Sequence, residues 1–216
     1  MNLPNSITMG RILCVPLLIW MLSPHFPLRG PHGEQEIFTS LFFILVSISD
    51  GVDGYLARRR GQITTIGMLL DPLADKLLVT AAFICLVQYC PDIMKPWIAV
   101  LVIGREFLVS GLRSIASSEG FTIEASDLGK LKTVIQIVSI VAIILAHRWD
   151  AWHFGWFIMP VRSVAITAVY FMVAVSTISA IDYFWGFWRK IDRATSTRRK
   201  HDNEFVLSRR KKNITA

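Results

Sequence analysis

Four aspartates, Asp50, Asp53, Asp71 and Asp75, lie beside or within apolar runs long enough to enter a bilayer. No other feature restricts the fold of this chain so strongly. An aspartate at the centre of a membrane helix costs roughly 2.5–3.5 kcal/mol, and four left uncompensated would cost on the order of 10 kcal/mol. Lys76 could answer one of these acids, but a single nearby lysine cannot answer four. Divalent cations can, because carboxylate oxygens are the ligands that Mg²⁺, Mn²⁺ and Ca²⁺ prefer. A cluster of two ions is therefore expected.

The remainder of the chain points to the same environment. Of 216 residues 53% are hydrophobic and only 18% charged, and the mean hydropathy is +0.47. That is too apolar for an ordinary soluble domain of this length. The pattern predicts an all-α integral membrane protein with six transmembrane helices, at about Ile7–Leu28, Ile37–Arg59, Ile66–Cys90, Lys95–Ala116, Lys130–Ala146 and Val161–Trp188. The first is expected to be broken by Pro16, Pro24 and Pro27. Most of these runs have the roughly 20 residues that cross a hydrocarbon layer. Short connections make successive helices antiparallel neighbours. Two regions follow: a six-helix membrane catalytic domain, 1–188, and a basic cytoplasmic tail, 189–216.

Charge gives the orientation. The formal net charge is +7, much of it after Trp188. Arg11, Arg58, Arg59, Arg60, Arg113, Lys130, Lys132 and the tail fall on one side, and only Arg29, Lys95, Arg148 and Arg162 on the other. The excess of basic residues places both termini in the cytoplasm. Trp97, Trp149, Trp152, Trp156, Trp185 and Trp188 fall near helix ends, as an interfacial aromatic belt requires. A basic tail beside apolar helices suits an anionic lipid surface, and no nucleic-acid-binding motif competes with that reading. Cys14, Cys85 and Cys90 form no CxxC or Cys/His cluster and read as small buried hydrophobes. The first apolar stretch lacks a basic leader and reads as a retained helix, not a cleaved signal.

The acids should converge. Asp50 and Asp53 are three residues apart, Asp71 and Asp75 four, so each pair shares a helix face. With the turn centred near Gln62 and Ile63, the two pairs stand at matched depths, about 13–19 Å along the helices at 1.5 Å per residue. This predicts a polar metal site between the second and third helices, below the cytoplasmic surface. Gly54 and Gly67 permit close approach of a backbone or flat ligand. Pro72 frees a carbonyl one turn earlier, a defect tolerated in a membrane only where it is buried or lines a polar cavity.

The run Asp50-x-x-Asp53-Gly54-x-x-Ala57-Arg58, then eight residues, then Gly67-x-x-x-Asp71-x-x-x-Asp75 resembles the complete signature of the CDP-alcohol phosphotransferases. That resemblance implies a six-helix membrane enzyme, usually a homodimer, which moves a phosphatidyl or similar group from a CDP-linked donor to an alcohol and releases CMP. It further implies that Asp50 and Asp71 bridge two Mg²⁺ ions, with Mn²⁺ also suited. Asp53 would complete one shell, and Asp75 would touch the other ion and serve as general base. Gly54, Arg58 and Thr64 would hold the CDP portion. The segment Pro4–Arg11 also looks like the family's N-terminal segment, in which Asn5 and Thr8 would help line the nucleotide site.

A second set of residues bears on the acceptor. Arg105 and Arg113, eight residues apart, share a helix face, and Lys130 and Lys132 open the fifth helix. Glu106 is adjacent to Arg105, but neighbours on a helix point apart, which argues against their pairing. Gly104 to Arg113, together with Gly129-Lys130-Leu131-Lys132-Thr133, is similar to bacterial members of the family whose acceptor is sn-glycerol 3-phosphate. This implies CDP-diacylglycerol as donor, phosphatidylglycerol phosphate and CMP as products, and Arg105, Arg113 and Lys130 as ligands of the acceptor phosphate. It also implies a bacterial cytoplasmic membrane with the site facing the cytoplasm. The alternatives are a different acceptor, inositol phosphate or phosphatidylglycerol, and, more remotely, a divalent-cation carrier, which leaves Gly54 and Arg58 unexplained.

Overall fold

The computed structural model describes the backbone of residues 3–60, 65–118 and 127–214, and side chains within 9–49, 73–118 except 75, and 131–191 except 154. Six helices follow one another: α1 Leu3–Met21, α2 Glu34–Arg60, α3 Thr65–Tyr89, α4 Pro96–Ser118, α5 Asp127–Arg148 and α6 Val161–Ile214. A two-stranded antiparallel hairpin, β1 Trp152–Phe154 and β2 Phe157–Met159, joins α5 to α6 with His153 opposite Ile158. The architecture is mostly helical, as expected, with that hairpin as an unpredicted addition. Gly155 turns it, at φ +64, a conformation costly for any residue with a Cβ.

The first helix is shorter than its apolar run. Pro16 sits inside α1 without ending it, while Pro24 and Pro27 lie beyond its end in irregular chain. A helix leaves its last carbonyls without intrahelical donors. Gln35 answers one of them, its Nε2 donating to Met21 O at 2.7 Å and to Ser23 O at 3.2 Å. Arg29 Nε in turn donates to Gln35 Oε1 at 3.1 Å. The start of α2 is thereby pinned to the end of α1. At the other extreme α6 continues as helix through the basic segment to Ile214.

The helices pack α1 on α2 and α3, α2 on α5, α3 on α4 and α5, and α6 on α4 and α5. Leu18, Phe43, Phe83, Leu86, Ile98 and Ile143 fill the interior. Small residues sit where backbones approach: Ala74, Ala82 and Ala165 are wholly buried. Ser139 crosses between helices, its Oγ donating to Ala168 O at 3.0 Å, a contact worth about 0.6 kcal/mol in a membrane. The outward face is apolar as well. Every helix exposes a large aliphatic side chain, Leu13, Leu45, Ile84, Val100, Val138 and Ile178, at 54–72%. Within the described residues, Leu131–Arg148 and Val161–Ile191 are long and apolar enough to cross a membrane, and Met9–Met21 and Lys76–Tyr89 are shorter apolar stretches.

The connections grouped on one side by charge do meet. Arg148 Nη2 donates to Pro31 O, and Arg162 lies 3.5 Å from Asp92 and 3.7 Å from Asp150. Gly33, at φ +84, opens α2 beneath the Trp149 indole, where an added Cβ would collide with the ring.

Candidate active site

Positions 50 and 53 fall within α2, and positions 71 and 75 within α3. Both spacings therefore act along helices, as the pairing argument requires. The side chains of Asp50, Asp53, Asp71 and Asp75 lie outside the described residues, as do those of Asn5, Thr8, Arg58 and Lys130; Gly54 is described by its helical backbone alone, and Thr64 lies outside entirely. Among the described residues no group of three His, Cys, Asp or Glu could hold a metal.

A small cavity of about 70 Å³ reaches this region from the bundle interior. Its polar wall comes from four helices: Ser47 on α2, Lys76 and Thr80 on α3, Glu106 on α4, and Lys132 and Gln136 on α5. Ser47 precedes position 50 by three residues, and Val79, also on the cavity, follows position 75 by four. Those are the spacings at which helical residues share a face. The cavity thus lies within about one helical turn of positions 50 and 75 along α2 and α3.

A polar cluster on the cavity wall centres on Glu106. Arg105 is buried on α4. Its Nη1 donates to Glu106 Oε1 at 2.9 Å, its Nη2 to Ser179 Oγ at 2.9 Å and its Nε to Ser176 O at 3.3 Å. The sequence argument against an Arg105–Glu106 pair is corrected here. Successive Cα–Cβ bonds diverge, but the long arginine stem crosses that angle and brings its fork back to the neighbouring carboxylate. Glu106 Oε1 also accepts from Gln136 Nε2 at 3.2 Å and pairs with the Lys132 ammonium. Lys132 stands on the cavity wall, whereas Arg105 lies behind Glu106 against α6.

Arg113 shares the α6-facing side of α4 with Arg105, as the eight-residue spacing predicts, but it is exposed, with its guanidinium 5.9 Å from the centre of the Tyr183 ring. The structure brings Glu106, Lys132 and Gln136 together as a site that sequence reasoning did not assemble. The available signal was the i,i+4 pair Lys132 and Gln136 on one face of α5, opposite the only acid in the apolar run of α4.

An outward-apolar helical bundle, with an ionic and hydroxyl-lined cavity beside helices that carry paired aspartates, defines a membrane-associated enzyme scaffold. The chain belongs to the CDP-alcohol phosphatidyltransferase family, whose sequence profile matches residues 1–176. That range contains every candidate site residue. A CDP-diacylglycerol–glycerol-3-phosphate 3-phosphatidyltransferase of Bacillus subtilis (strain 168) is 39% identical over 197 residues, 88% of this chain and 97% of the relative. One of the same name from Rickettsia bellii (strain RML369-C) is 37% identical over 147 residues, 68% of this chain and 77% of the relative. A CMP-forming cardiolipin synthase of Oryza sativa subsp. japonica is 32% identical over 205 residues, 88% of this chain and 58% of the relative.

Proposed function

We propose that this protein transfers a phosphatidyl group from CDP-diacylglycerol to sn-glycerol 3-phosphate, giving phosphatidylglycerol phosphate and CMP. One observation carries the reading: near-complete coverage of a relative bearing that activity, at 39% identity. The cavity chemistry is consistent with it, since lysines and hydroxyls near the aspartate positions of α2 and α3 suit a small phosphomonoester.

Asp75 takes the proton of the acceptor hydroxyl. The freed oxygen forms a bond to the phosphatidyl phosphorus, and the bond from that phosphorus to the bridging pyrophosphate oxygen breaks, releasing CMP. Arg58 gives the pyrophosphate a bidentate contact, with Gly54, Thr64, Asn5 and Thr8 around the nucleotide. Arg105, Arg113 and Lys130 supply the positive field for the acceptor phosphate, Arg105 from a fixed position. The oxygen-only donor set of Asp50, Asp53, Asp71 and Asp75, in helical pairs, fits hard divalent cations. Two Mg²⁺ ions bound there would neutralise the pyrophosphate oxygens and the charge on the leaving phosphate.

All six helices cross the bacterial cytoplasmic membrane in this reading, supported by the exposed aliphatic side chains on each of them. Both termini and the site face the cytoplasm, and the enzyme is a homodimer. A lipid donor can then keep its acyl chains in the bilayer while a soluble acceptor enters from the cytoplasm.

The test is an acceptor screen on the full chain with CDP-diacylglycerol and labelled glycerol 3-phosphate, inositol phosphate or phosphatidylglycerol. Labelled lipid should form with glycerol 3-phosphate, vanish on EDTA treatment and return with added Mg²⁺ or Mn²⁺. Product from another acceptor alone would overturn the assignment, and EDTA-resistant turnover would overturn the metal site.

A further inference from the structure

Glu106 carries more of the interior hydrogen bonding than any role assigned so far requires. One oxygen, Oε1, receives the Arg105 guanidinium, the Lys132 ammonium and the Gln136 amide. Through Arg105 the same network reaches Ser176 and Ser179 on α6. A single carboxylate therefore ties α4 to α5 directly and to α6 through its neighbour. Glu106 is half-buried, and a carboxylate drawn partly out of water is costly unless it is paired and hydrogen-bonded; these donors meet that need.

The network is also directional. Arg105 is turned away from the cavity and fixed against α6, so its position determines that of Glu106. Glu106 in turn sits on the cavity wall beside Lys132. A lysine ammonium rides on a flexible four-carbon stem and would otherwise be spread over many rotamers. Among the described residues, the charged groups on the cavity are Lys76, Lys132 and Glu106, two cations against one anion.

We infer that Glu106 is a positioning residue for the acceptor: it holds the Lys132 ammonium on the cavity wall that Lys76 also lines, so that an entering phosphate dianion meets a cation already in place. The inference rests on the acceptor reading above and names the cavity among α2, α3, α4 and α5 as the seat of the acceptor's phosphate. The ordering of Lys132 is completed on folding, not on binding, and preorganisation of that kind shows as affinity for the group it addresses.

The experiment uses the full chain in mixed micelles, with CMP release measured against each substrate in turn. Glu106→Gln keeps the side-chain shape but removes the charge that holds Lys132. It should raise the KM for glycerol 3-phosphate about tenfold, the size of one charge-assisted hydrogen bond, with the KM for CDP-diacylglycerol within about twofold. Lys132→Gln should do the same, and the double variant should be no worse than the weaker single, because one residue acts through the other. Glu106→Asp should recover part of the loss. Inorganic phosphate should compete with glycerol 3-phosphate in the wild type and lose potency in Lys132→Gln. Should Glu106→Gln fail to fold, Lys132→Gln still decides, since it leaves Glu106 bonded to Arg105 and Gln136. Equal changes in both KM values, or additive losses in the double variant, would overturn the inference. Wild-type silence towards glycerol 3-phosphate would instead overturn the functional reading, and the inference with it.

Discussion

A residue proposed both to touch a cation and to take a proton is best tested by removing its charge alone. Asp75→Asn keeps the volume and one oxygen ligand but no longer serves as a base. Turnover should fall by about 10²–10⁴-fold, the range of general-base contributions, while binding of CDP-diacylglycerol persists; unchanged turnover would take Asp75 out of the chemistry. Arg105 offers the opposite case, a residue whose contacts are all accounted for by protein. Truncating it leaves Glu106 paired with Lys132 and Gln136 but takes the donor from the buried Ser176 carbonyl, a loss of about 1–3 kcal/mol. Arg105→Ala should therefore lower the thermal midpoint markedly in detergent as well as raise the acceptor KM. Arg105→Lys should restore only part, since a point charge cannot bond Glu106, Ser176 and Ser179 together. An unshifted midpoint would mean that the network holds nothing. The paired aspartates were legible in the sequence because their spacing is local. The Glu106 cluster was not, because Lys132 and Gln136 lie on another helix, and only the packing of α4 and α5 on their shared neighbours α3 and α6 brings them within reach.

At the scale of elements, the ends were harder to read than the middles. Apolar runs gave the six helices in order, because length and hydropathy survive any choice of neighbours. The end of α1 does not follow from hydropathy, because the apolar run continues past Pro24 and Pro27 while the helix stops at Met21. The stop is stabilised from outside the helix, by the Gln35 amide. Gln35 is 2% exposed, so replacing it with an apolar side chain would leave Met21 O buried without that donor. Gln35→Leu is expected to cost about 1–3 kcal/mol, the penalty for an orphaned buried acceptor, read as a lower unfolding midpoint with unaltered KM values; a stability equal to wild type would show that the carbonyl finds another donor. The hairpin between α5 and α6 escaped the sequence reading for a related reason. Its strands are three residues each, too short for alternation to register. Trp156, expected near a helix end, instead lies 97% exposed at the turn of this hairpin.

The whole molecule reverses the usual division between inside and surface. Among the described residues the interior holds the ionic cluster and the cavity, while large aliphatic side chains stand exposed on all six helices. In water that surface would drive aggregation; against lipid it costs nothing, and the helices are held instead by small-residue contacts and bonds such as Ser139 to Ala168. The connections bearing Arg29, Arg148 and Arg162 gather at one end, next to the acids Asp92 and Asp150. With all six helices spanning, as proposed, the chain returns to the end where it began. The C-terminal segment of α6 is dense in lysine and arginine and carries the bulk of the cationic bias, so it should lie on the cytoplasmic face. Trypsin added to sealed inverted vesicles should therefore shorten the protein from its C-terminus, with the membrane-embedded part intact. Right-side-out vesicles should leave the same segment uncut until detergent is added. Cleavage in the right-side-out preparation would reverse the topology, and would put the aspartate-bearing helices' shared turn on the side where neither a CDP-linked donor nor a soluble phosphate acceptor is supplied.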